Sequence, residues 1–86
     1  MALKGALNMA TTPVLLRQAG ELLASGEIDL AEVTTADSAG VAFLLELKRR
    51  ALKAGRPLRF SRCPAQLLGL ITFFELEDAL LTPEAA

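Results

Sequence analysis

Three features of the sequence predict a small α/β domain built on parallel strands. Short apolar runs of strand character alternate with longer runs at helical spacing. Turn-forming Gly, Pro or Ser separates most of them. The order that results, β-α-β-α-β-α, calls for strands joined by right-handed helical crossovers. The chain has 86 residues, enough for one core, so residues 1–86 are read as a single domain. Periodicity leaves open whether the helices pack on one face of the sheet or on both.

LKGAL, residues 3–7, forms the first strand, with Leu3, Gly5 and Leu7 on one face. NMATTP breaks the pattern, Thr12 standing as N-cap and Pro13 at the first helical position. Leu15, Leu16, Ala19, Leu22 and Leu23 follow at helical spacing, with Arg17, Gln18 and Glu21 opposite. This predicts one half-buried helix of about three turns. Ser25-Gly26 stops it.

IDLAEV, residues 28–33, is apolar at Ile28, Leu30 and Val33 and bounded by turn residues, as a strand inside a parallel sheet is. The longest helical run extends from Ala39 to about Ala54 and closes at Gly55. Its predicted buried stripe is Val41, Leu44, Leu45, Lys48 and Leu52, with Lys48 where the stripe nears solvent. PLRFS, residues 57–61, alternates Leu58 and Phe60 against Arg59 and Ser61. Pro64 opens a further helix carrying Leu67, Leu68, Leu70, Ile71 and Phe74, where Gly69 permits close packing. Residues 75–86, ELEDALLTPEAA, fit a short strand, a half-turn or a tail.

Composition narrows the chemistry. Apolar residues make up 52% of the chain, with four Phe and no Trp or Tyr, so the core is aliphatic or apolar surface is kept for a partner. A lone Cys63 excludes an internal disulfide and a cysteine-based zinc site. With no His, the commonest general base and metal ligand is missing. No cofactor or metal is expected. The first residues do not form a signal peptide, and no apolar run approaches the ~18 residues of a membrane span. An intracellular, cytoplasmic domain with no membrane insertion is expected.

The net charge is −1, yet the charges are segregated. Seven of the nine bases lie between Lys48 and Arg62 with no acid among them; beyond Arg62 there are only acids. Cations near a helix C-terminus are favourable and explain part of this. Without aromatics among the bases the run does not read as a nucleic-acid site. An acidic partner surface fits it better.

The chemistry-bearing junction is Asp37-Ser38-Ala39-Gly40, where the 28–33 strand gives way to the long helix. Ligands and partners of open α/β sheets meet the chain just beyond the carboxyl ends of strands. Ser38 can cap the N–H groups of Gly40 or Val41, and Asp37 gains from the positive helix end. Gly40 leaves the backbone bare for another surface to approach. Asp37, Ser38, Ala39, Gly40 and Val41 are therefore the candidate site, either a helix cap or a docking surface. Catalysis fits poorly. A serine nucleophile needs a base, and Lys48 lies several turns along its own helix. The stretch is neither a GxSxG elbow nor a phosphate loop. Glu75 and Asp78 pair only as part of an acidic tail. The chain is not read as an enzyme.

IDLAEVTTADSAGVAFLLELKRRALKAGRPLRF resembles the central segment of STAS domains, named for sulfate transporters and anti-sigma factor antagonists. The shared pattern is an apolar strand with Asp, then Asp-Ser/Thr-small-Gly, a long helix, Gly and another strand. The resemblance runs from about Leu3 to Leu80 and is strongest from Ile28 to Phe60. It implies a small mixed β-sheet with packed helices, no cofactor, and work done by docking to a protein partner.

In the antagonists the serine just before the glycine is phosphorylated; that position here is Ala39, and Ser38 stands one residue earlier. In MlaB-like STAS subunits of bacterial phospholipid-transport ABC complexes the motif resembles Asp-Thr-small-Gly. That Thr lies in the surface docked on the ATPase subunit, and Ser38 matches it. The resemblance thus implies a non-catalytic accessory subunit bound to an ABC ATPase of the lipid-asymmetry (Mla) type, peripheral to the inner membrane. The alternative it implies is an antagonist binding a serine-kinase anti-sigma factor, with Ser38 as the phosphate acceptor. STAS domains usually carry one more leading strand. Short of it, this chain is expected to expose a strand edge and to self-associate, as a homodimer or otherwise, or to be unstable alone.

Overall fold

The computed structural model describes residues 1–81. Strands β1 (Ala2–Leu7), β2 (Glu27–Ala36) and β3 (Arg59–Ser61) form one sheet in that order, and both pairs are parallel. The helices are α1 (Thr12–Leu16), α2 (Ala19–Ser25), α3 (Ser38–Lys53), α4 (Ala65–Phe73) and α5 (Glu77–Leu80). The α/β class follows from the order of elements. Among the described residues the sheet is wholly parallel, so no antiparallel member of a mixed sheet lies there.

The helices share one face of the sheet. Leu3, Leu7, Ile28, Leu30, Val33 and Phe60 turn their side chains to that face and are buried. The opposite face is polar: Lys4 pairs with Glu32 at 3.8 Å, Arg59 with Glu27, and Arg62 with Asp29. α3 touches every other helix and both β1 and β2, so it is the hub of the core. β1 is an edge strand made irregular by Gly5 at φ +78°, and its pairing shifts register twice, with the extra residue in β2 each time. Such irregularity, with Lys4 beside it, makes the edge a poor template for another strand.

The single helix expected after Pro13 is two. Arg17 and Gln18 donate to the carbonyls of Val14 and Leu15, three residues back, a tightened turn that redirects the chain between α1 and α2. The expected cap also moves. Thr11 is the N-cap, and its hydroxyl donates to the Ala6 carbonyl at 2.8 Å instead of capping the helix.

α3 is rotated from its expected stripe. Gly40, Leu44, Leu47 and Ala51 face the core with Val41, Phe43 and Lys48, whereas Leu45 is 38% and Leu52 66% exposed. The helix is apolar on more than one side, so periodicity alone fits two overlapping stripes. Contact between Gly40 and β1 selects one. Lys48 lies inside, 4% exposed, where the sequence places it near solvent. Its ammonium donates to the Leu58 carbonyl at 2.5 Å and sits 5.7 Å from the centre of the Phe60 ring.

In α4 only Leu67 and Ile71 are fully buried. Gly69 does not serve close packing among the described residues, since a methyl placed there meets none of them within 4 Å. The Gln66 amide donates to the carbonyl of Ala36 and accepts from its N–H, both at 2.9 Å. A side chain thus completes the last rung of β2 on the side away from β1. Of the ambiguous C-terminal residues, Glu77–Leu80 form a helical turn that buries Leu80; residues 82–86 lie outside the described residues.

Candidate functional site

β2 delivers the Asp37-Ser38-Ala39-Gly40 turn to the carboxyl end of the sheet, beside the end of β1. The Asp37 N–H donates to the Leu7 carbonyl at 3.2 Å, which pins the turn to the neighbouring strand. Asp37 has extended dihedrals, and its Oδ1 accepts from the N–H groups of Ala39 at 2.9 Å and Gly40 at 3.2 Å. The cap is therefore Asp37, one residue before the Ser38 cap considered from sequence. A carboxylate there also meets the positive helix end.

Ser38 is the first helical residue, exposed, and its hydroxyl makes no hydrogen bond among the described residues. Asp37→Ala is expected to cost ~1 kcal/mol through loss of the cap. Ser38→Ala should stay within about 0.5 kcal/mol of wild type. Urea titration of both variants checks the assignment.

The remaining three residues turn progressively inward. Ala39 is half-buried and lines a groove of about 360 Å³ with Thr12, Pro13, Leu16, Ala42 and Glu46. Gly40 is buried: a Cβ there would lie 2.6 Å from the Leu7 carbonyl oxygen and 2.8 Å from the Leu7 Cβ. The close approach that a bare backbone permits is thus made by the chain's own β1. Val41 is a core residue. Asp37, Ser38 and Ala39 are what the motif offers to the outside.

A second groove, of about 410 Å³, continues along α3 past Ala42, with Leu45, Arg49 and Leu52 on one wall and Ala79 of α5 on the other. Sequence reasoning placed Leu45 and Leu52 in the core, so it missed this surface. The signal that could have found it was the surplus of leucines on α3 beyond what one buried stripe needs.

Glu46 stands between the two grooves. Its carboxylate accepts from Arg49 Nε and from Arg50 Nε, both at 2.8 Å. Those guanidiniums, Arg49 first, hold its pKa down to about 2. A carboxylate depressed in the folded state stabilises above its unfolded pKa, and that contribution is lost as pH falls toward the folded value. Glu46→Gln should therefore lower the melting temperature at neutral pH, and the difference from wild type should vanish as pH falls from 4.5 to about 2. Thermal melts across that range measure it.

Other chemistry is sparse. Burial pushes the half-buried Cys63 thiol up, away from the reactive thiolate form. No group of three His, Cys, Asp or Glu side chains gathers to hold a metal among the described residues. None of the described helices is long and apolar enough to cross a membrane.

The acid-capped helix springing from the central strand, with its small-residue first turn, carries the Asp-Ser-small-Gly pattern that the resemblance to STAS domains rests on. The family model described as "Mlab, STAS domain" matches residues 1–83, and the chain belongs to that family. A STAS-domain accessory protein of MlaB type fits this membership, and the family is generally non-catalytic. No curated protein matches the chain.

Proposed function

We propose that this chain is a non-catalytic accessory subunit that docks on the ATPase of a phospholipid-trafficking, Mla-type ABC transporter. In that role it is cytoplasmic and held at the inner membrane only through its partner. The observation that carries this reading is the state of Ser38. It is exposed, makes no hydrogen bond among the described residues, is relieved of capping by Asp37, and its neighbour Ala39 lines the first of the grooves along α3. A hydroxyl with no hydrogen bond among the described residues, one residue from an apolar groove, suits a protein interface. The exposed bases at the end of α3 add attraction for an acidic rim.

Co-purification with the ATPase subunit of an Mla-type transporter tests the proposal. Ser38→Glu and Leu45→Glu are each expected to abolish recovery of the complex while leaving the melting temperature close to wild type. Recovery of both variants at wild-type yield would refute this docking face.

The antagonist reading rests on the same exposed hydroxyl. Against it stands Ala39 in the phosphorylated position, from which Ser38 is turned by about 100° around the helix. Stoichiometric phosphate on Ser38 after incubation with an anti-sigma factor kinase and ATP would favour the antagonist.

A further inference from the structure

β2 outruns its neighbour. β3 pairs with it only along Glu27, Ile28 and Asp29, whereas β2 continues to Ala36 and hands over directly to the Asp37-Ser38 turn. On that side the far end of β2 has no strand beside it among the described residues. A strand end held along one edge opens readily, and a turn built on it shares the motion.

One side chain takes the place of a strand there. In the first turn of α4, the Gln66 Nε2 donates to the Ala36 carbonyl and the Oε1 accepts from the Ala36 N–H, both at 2.9 Å. A primary amide carries the same kinds of donor and acceptor as a backbone peptide. The base of this side chain is well anchored, because Leu67 and Ile71 of α4 are wholly buried.

We propose that Gln66 is a positioning residue for the docking turn, holding Ser38 in the orientation that its partner meets. This role rests on the docking reading proposed above.

The peptide unit between Ala36 and Asp37 carries the effect. Its carbonyl accepts from Gln66, and its N–H donates to the Leu7 carbonyl of β1 at 3.2 Å. A peptide unit is planar, so bonds at both ends fix its tilt, while one bond leaves a hinge. From that plane Asp37 departs at φ −121° and ψ −169°, and its Oδ1 reaches the N–H groups of Ala39 and Gly40. Ser38 stands between the clamped peptide and the capped amides. The direction of its hydroxyl follows from both.

Magnitude separates positioning from bracing. Both Gln66 bonds are exposed, so water replaces them when the side chain is removed, and alanine favours the helix. Loss of the amide should scarcely change the melting temperature. A hydrogen bond of ordinary net strength still biases the tilt of the peptide by a factor of roughly 3–10. Affinity falls by the fraction of molecules that no longer present the competent turn.

Three substitutions in the full chain test the role. Gln66→Ala removes both bonds. Gln66→Glu keeps an acceptor for the Ala36 N–H but offers no proton to the carbonyl at neutral pH. Gln66→Lys keeps only a donor for that carbonyl. In nitrogen–proton correlation spectra of the free chain, Gln66→Ala and Gln66→Glu are expected to move the Ala39 and Gly40 amide resonances upfield, away from the positions of carboxylate-bonded N–H groups. Both should weaken binding to the ATPase subunit of an Mla-type transporter roughly 3–10-fold, and Gln66→Lys should keep both readings close to wild type. Unmoved Ala39 and Gly40 resonances in Gln66→Ala would overturn the proposal even if affinity fell, since the amide would then touch the partner directly. So would a Gln66→Lys protein indistinguishable from Gln66→Ala. A Gln66→Ala melting temperature far below wild type would overturn it too, making the amide a brace for the sheet. A wild-type chain that fails to bind the ATPase refutes the docking reading instead, and the resonances of the free chain still decide what Gln66 does.

Discussion

Gly40→Ala is expected to lose about 1–3 kcal/mol of stability despite alanine's better helix propensity. The added methyl would stand 2.6 Å from a backbone oxygen of β1, and a backbone cannot swing aside as a flexible side chain can. In a domain of this size that loss is a large share of the total, and Gly40→Val should leave the chain unfolded at room temperature. Gly69→Ala provides the contrast. There the methyl meets nothing within 4 Å, and the helix should gain up to about 1 kcal/mol. Urea unfolding of the two alanine variants should move in opposite directions; equal midpoints would mean that α3 does not rest on β1 as described.

Lys48→Ala is the second large effect, about 2–5 kcal/mol, because it removes a buried four-carbon stem from between α3 and β3. Lys48→Met keeps most of that stem and removes the donor to the Leu58 carbonyl. Its expected cost is about 1–3 kcal/mol for the acceptor left behind. Chemical denaturation separates the packing contribution from the hydrogen bond. A Lys48→Ala protein as stable as wild type would mean that this side chain lies in water.

What could be read from sequence was local and periodic. β1, β2 and the start of α3 follow from alternation and turn residues, and Leu58 and Phe60 are buried as their spacing implies. What could not be read depends on contacts between elements. Which side of α3 faces inward is decided by Gly40 against Leu7, a contact between residues 33 positions apart. The fate of Lys48 depends on the Leu58 carbonyl just before β3, and the break between α1 and α2 on hydrogen bonds three residues back. The motif itself was legible as five residues. Its division into an outward part, Asp37 to Ala39, and an inward part, Gly40 and Val41, required the sheet to be in place.

The Gln66 amide that closes the last rung of β2 gives the molecule an internal reporter. The N–H of Ala36 is shielded by a side chain from α4, whereas the next N–H, that of Asp37, is held by the Leu7 carbonyl of β1. Two adjacent amides thus report two different openings in deuterium exchange. Ala36 becomes labelled whenever α4 lifts from the sheet, and Asp37 only when β1 and β2 part. The ratio of their rates measures how independently the C-terminal third breathes. Any partner that clasps α4 should slow Ala36 while leaving Asp37 unchanged.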